Sequence, residues 1–205
     1  MKRLLPVFSY VFYPLFIPVY ATLFYLFITR NFFFNNEIYL IFIQVLLITL
    51  LLPLSIYYLL KSLGFLTSVK LLGVSERRVP LLIYALLLFI LLKHSFTSFV
   101  LPELYYFFAG ILVSVLLSIV FLLFKIRVSL HTTGMVSLIM FIISLSFYYH
   151  ITFLNLIAFC VICLGFVASS RLKNNCHTIL EVLLGVLLGF FPQVMLWSVW
   201  LFNVL

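Results

Sequence analysis

Charge is what this 205-residue chain has least of. Asp, Glu, Lys and Arg make up 8% of it, and only four residues are acidic. A water-soluble domain of this length cannot clothe its surface with so few charges. Cysteine is scarce too: three residues exclude a disulfide framework. Cys160 and Cys163 form a C-x-x-C pair inside the apolar stretch "LIAFCVICLGF". With no further zinc ligand nearby they read as small packing residues. The alternation of a membrane barrel is missing, because the apolar runs are continuous rather than in–out segments of about ten residues. Met1-Lys2-Arg3 leads into an apolar run with no small-residue cleavage site. That run is therefore expected to be retained and to act as its own insertion signal. Low-complexity tracts and a convincing internal repeat are also lacking.

What the chain has is hydrocarbon: 67% of it is hydrophobic. Leu4–Thr29, Ile38–Leu60, Leu104–Phe124 and Val182–Leu205 carry no formal charge. Each is long enough to cross about 30 Å of lipid as a helix. The pattern predicts an all-α, polytopic transmembrane helix bundle of about seven spans, forming one membrane domain over residues 1–205. The spans fall near residues 5–29, 38–61, 80–98, 104–124, 132–149, 151–169 and 178 to the end. Pro14 and Pro18 are expected to kink the first. Pro80 suits the first turn of the third. The uncharged stretch from Val128 to Ser170 needs a hairpin near "YYHITFLN". Gly185 and Gly189, in the last span, form a G-x-x-x-G that permits close helix packing.

The net charge of +8 sits in the short gaps between spans, where it faces lipid headgroups or an anionic substrate rather than nucleic acid. In the seven-crossing arrangement ten of the twelve basic residues lie on the side of the N-terminus. The opposite side holds Arg30 and Lys93. The positive-inside rule, taken by itself, then puts the basic face in the cytoplasm, with the face of the candidate site left open. Lys125, Arg127 and Lys173 read as headgroup anchors.

Three gaps on that basic face carry chemistry. The first holds Lys70, Arg77 and Arg78, the last two also serving the positive-inside count. The second is "SLHTTG", with Ser129 and His131. The third is "SRLKNNCHTILE", with Arg171, His177 and Glu181. His177 and Glu181 share a helix face four residues apart. A carboxylate there can accept the imidazole N–H, fix the tautomer and favour a nucleophilic second nitrogen. Arg171 offers a bidentate fork to a phosphate. Cationic side chains, two histidines and a helix N-terminus suit phosphoryl transfer, which depends on positioning and charge neutralisation.

The third cluster resembles a motif of the type 2 phosphatidic acid phosphatase superfamily: Ser-Arg, five residues, His, three residues, Asp. Here it reads Ser170, Arg171, His177 and Glu181, with glutamate in the aspartate position. "KLLGVSERRVP" resembles the family's first motif through Lys70 and Arg77, with its proline displaced to Pro80. "SLHTTG" keeps a serine two residues before His131, without the family's proline and glycine. The likeness covers about residues 65–195 and fits a short, divergent bacterial subgroup. It implies that His177 attacks phosphorus, Glu181 orients it, and His131 serves as acid and then base. It implies that Lys70, Arg77, Arg78, Arg171 and Ser129 hold the phosphate, with no cofactor or metal. The implied substrate is a lipid phosphate or diphosphate entering from the bilayer. A catalytically inactive relative that binds lipid headgroups, or a structural or transport subunit, remains the alternative. A carrier would want polar mid-span residues, and the chain has few, chiefly Gln44, Asn155 and Gln193.

Overall fold

The computed structural model describes residues 4–64, 74–96 and 100–201, and these are helical apart from their connecting turns. The helices are α1 (Leu4–Val11), α2 (Ile17–Ile28), α3 (Asn35–Leu46), α4 (Leu52–Ser62), α5 (Val74–His94), α6 (Pro102–Leu123), α7 (Leu130–Tyr148), α8 (Leu154–Lys173) and α9 (Ile179–Trp200). A π turn over Leu47–Leu51 joins α3 to α4, so Asn35–Ser62 runs as one rod. The turn precedes Pro53, whose missing N–H and bulky ring are accommodated by local widening. Among the described residues, five helices are long and apolar enough to cross a membrane: Asn35–Ser62, α6, α7, α8 and α9.

Two sequence expectations are corrected. The first apolar run is not one helix, because the chain leaves helical geometry between α1 and α2, around Pro14. Proline cannot donate to the preceding turn and its ring clashes there. Pro18 instead sits in the first turn of α2, where no donor is needed. Pro80 does not open the third span, since α5 already runs from Val74 and carries it inside. Charged residues at both ends of α5 leave it outside the set of five. The hairpin near residue 150 is present, with His150 in the left-handed region at φ 53°.

The bundle is organised around α9, which packs on α7 and α6. Gly185 and Gly189 are the reason it comes so close. A Cβ at Gly185 would collide with the Thr132 hydroxyl and lie 2.7 Å from the Ser129 carbonyl. A Cβ at Gly189 would lie 2.5 Å from the Thr133 carbonyl. Backbone approach of this kind is how small residues drive helix association in lipid. Polar side chains add rungs between α6 and α9: Ser114 Oγ donates to the Leu188 carbonyl (2.6 Å), and Gln193 Nε2 to that of Phe107 (3.1 Å). Gln193, expected as a mid-span polar residue, is buried in this packing role.

Hydroxyls within the helices largely return to the backbone. Thr22, Thr29 and Thr49 each donate to the carbonyl four residues earlier. Such pairing is obligatory where no water reaches. At the end of the bundle away from the basic clusters, buried Glu103 accepts from Tyr149 (2.6 Å) and Tyr25 (3.2 Å), tying α6 to α7 and α2. Cys160 and Cys163 are buried in the apolar core.

Candidate functional site

The site begins with two helix caps placed back to back. α8 ends in a Schellman motif: the Cys176 N–H donates to the Arg171 carbonyl (3.1 Å), and that of Asn175 to Leu172 (3.0 Å). Asn175 takes the left-handed conformation at φ 50°, which asparagine tolerates better than most residues. The next helix opens almost at once. Thr178 is its N-cap and accepts from the Glu181 N–H (3.3 Å), while Glu181 Oε2 accepts from the Thr178 N–H (3.1 Å). This is a capping box. Arg171 and His177 stand on either side of this short turn, so the caps hold them in fixed relation.

Glu181 does more than cap. Its Oε2 lies 3.0 Å from His177 Nδ1, and its Oε1 accepts from Arg127 Nε at 3.3 Å. His177 is 8% exposed and its Nε2 is the nitrogen left over from the Glu181 contact. Burial, and next the positive charge of Arg77, hold the His177 pKa below the usual histidine value, against the opposing pull of Glu181. The ring is therefore neutral at physiological pH.

The start of α7 is docked on the start of α9. A second Schellman motif ends α6, with Ile126 N–H donating to Phe121 (3.0 Å) and Lys125 at φ 61°. The chain then returns so that the Ser129 N–H donates to the Glu181 carbonyl (3.1 Å). Ser129 is fully buried, and its hydroxyl has no hydrogen-bond partner among the described residues. His131 follows in the first turn of α7.

Arg77, His131, Arg171 and His177 all line one cavity of about 890 Å³. Arg77, buried at 9% exposure, also reaches the Val128 carbonyl (3.5 Å). Arg171 Nε is buried and has no partner among the described residues. From Arg77 to Tyr84 on α5 the cavity runs about 10 Å along the helix. Its walls there are apolar and aromatic, with Leu54, Tyr57, Ile83, Ile111 and Val115 among them. It thus has a basic, imidazole-bearing end continuous with an apolar body.

Nothing matches this chain in comparisons with protein-family models, curated proteins or solved structures.

The remaining candidates fall elsewhere. Arg78 is exposed and does not line the cavity. Ser129 lies behind the wall rather than on it. Lys70 lies outside the described residues. Cys176 is on the cavity lining. Among the described residues, no three His, Cys, Asp or Glu side chains gather as metal ligands.

Sequence reasoning missed three contributors. Thr178 was readable, since T-x-x-E before an apolar run is a capping-box signature. Arg127, taken for a headgroup anchor, is the ion-pair partner of Glu181. No local spacing links positions 127 and 181. Tyr13, from the break between α1 and α2, packs its ring edge-on to His131 with centroids 5.3 Å apart. Nothing near it in sequence marks it.

Proposed function

We propose that the chain is an integral membrane lipid phosphatase acting through a phosphohistidine. The observation that carries this reading is the convergence of Arg77, His131, Arg171 and His177 on a cavity with an apolar body, with a carboxylate on His177 Nδ1. The phosphate of a lipid phosphate or diphosphate sits among the guanidinium groups, and its chain extends along the apolar wall. His177 Nε2 gives its lone pair to phosphorus, and the bond to the leaving oxygen breaks. His131 gives that oxygen its proton. It then takes a proton from water, whose oxygen attacks the phosphohistidine and releases phosphate as the P–N bond breaks. The arginines balance charge on the equatorial oxygens throughout. Neither half of the reaction uses a cofactor.

The topology that suits this reading has seven crossings of the inner membrane. The broken α1–α2 pair and α5 complete the five long helices. The clusters then share one membrane face, and the substrate enters sideways from the bilayer. The spacing of Ser170, Arg171, His177 and Glu181 resembles a motif of the type 2 phosphatidic acid phosphatases.

The test is phosphate release by purified protein from phosphatidic acid, phosphatidylglycerophosphate and a polyprenyl diphosphate in mixed micelles. Release that disappears in His177→Ala supports the reading. No release from any lipid, or release unchanged by that substitution, overturns it. A second reading draws on the Glu181 carboxylate being shared among a cap, an arginine and His177. A purely architectural role explains that sharing, and the cavity then binds lipid phosphate without turnover. Arg171-dependent binding with no phosphate release distinguishes it.

A further inference from the structure

The break between α1 and α2 puts two of its neighbours on the two sides of the site. Ser9, at 3% exposure, donates its hydroxyl to Ser170 Oγ (2.9 Å), the residue before Arg171. Four residues on, Tyr13 packs edge-on to the His131 ring. Tyr13 also lines the cavity. The chain cannot continue as a straight helix through Pro14, and the loss of helix there turns Tyr13 toward α7.

We infer that Tyr13 is a positioning residue for His131, so that the N-terminal segment is a working part of the site. The inference rests on the phosphatase reading and extends it to a segment outside the motif-bearing region. An imidazole that gives a proton to a leaving oxygen and later takes one from water must keep its ring plane through both steps. Its side-chain torsions alone leave the imidazole free to turn about the Cβ–Cγ bond. The Tyr13 ring, set at 87° to the imidazole plane with centroids 5.3 Å apart, blocks that rotation. The contact uses the ring of Tyr13 and makes no demand on its hydroxyl.

The experiment compares wild type, Tyr13→Leu and Tyr13→Phe of the full chain in detergent, with dioleoyl phosphatidic acid and farnesyl diphosphate as probes. Tyr13→Leu is expected to lower kcat by about ten- to a hundredfold with KM within about twofold. Tyr13→Phe is expected to restore kcat. Wild-type kcat in Tyr13→Leu overturns the inference. So does a Phe variant as slow as the Leu variant, because the hydroxyl and not the ring would then be acting. If wild type releases phosphate from neither probe, the phosphatase reading fails on its own. The positioning claim is then judged on the ring-proton resonances of selectively labelled His131. A shift of those resonances in Tyr13→Leu but not in Tyr13→Phe supports it, and no shift in either overturns it.

Discussion

Glu181 Oε2 sits 3.0 Å from His177 Nδ1 and 3.1 Å from the Thr178 N–H. One carboxylate oxygen thus starts a helix and orients an imidazole. The geometry gives a physical reason for glutamate here. Capping boxes use Glu or Gln because the reach back to the N-cap N–H requires the extra methylene.

Glu181→Gln and Thr178→Ala should separate the two roles. Glutamine keeps a capping acceptor but removes the negative charge that Glu181 places beside His177 Nδ1. We expect stability near wild type and phosphate release lowered on the order of a hundredfold. Thr178→Ala should cost about 1 kcal/mol of stability and leave most of the activity. Glu181→Asp should lose on both counts. Unfolding curves in detergent and steady-state turnover measure the two effects.

The depressed His177 pKa sets a pH dependence. Attack needs the neutral ring, so the acid limb of kcat/KM that belongs to His177 should lie below the ordinary histidine range near 6.5, with a separate alkaline limb where His131 loses the proton it must donate. Arg77→Gln removes a positive charge that favours the neutral ring. Its acid limb should move toward neutral pH while KM rises. For stability the sign is opposite to that of a salt-bridged histidine. The unfolded chain binds the proton more tightly, so His177 contributes a penalty that is absent above about pH 6.5 and grows as pH falls toward the folded pKa. A pH–rate profile of both proteins checks this.

Gly189→Val should separate α9 from α7. The added Cβ meets the Thr133 carbonyl and Val136, neither of which can retreat cheaply. A loss of about 1–3 kcal/mol is expected, read as a lower melting temperature. Gly165, with open space around its Cβ position, is the control: Gly165→Ala should be silent or mildly stabilising.

Tyr149→Phe removes the shorter of two hydrogen bonds to buried Glu103. It should cost about 1.5–3 kcal/mol. Tyr25→Phe should cost less, its bond being 3.2 Å. Neither should change turnover, because Glu103, Tyr25 and Tyr149 do not line the cavity. Melting and activity assays of the two variants decide it.

Asn174→Cys in a Cys176→Ser background reports the membrane face. Asn174 is exposed on the turn between α8 and α9. The excess of basic residues on that side predicts labelling by a membrane-impermeant thiol reagent in inverted vesicles and protection in intact cells.

Several features were legible in the sequence because their causes are local. A carboxylate four residues after a histidine faces it on any helix. The uncharged runs demand helices, since only there are all backbone groups paired without water. Small residues four apart mark a surface where helices touch. The break near Pro14 follows from proline's missing donor. The partners of Glu181 were only half legible: His177 is four residues away, whereas Arg127 arrives through a turn at Lys125 that no periodicity announces.

The sequence by itself determined that this protein is built of apolar helices suited to a membrane, and that its few charges gather toward helix ends and the connections between them. Tertiary structure alone decided that Arg77, His131, Arg171 and His177 share one cavity, that Arg78 does not, and that Tyr13 stands against His131. The reason is one of range. Helix formation and capping are settled within a few residues along the chain. The meeting of α7 with the α8–α9 turn is settled by how closely α9 approaches α7 over its glycines, a distance set by both surfaces at once, and α5 is held to the bundle by its packing on α6.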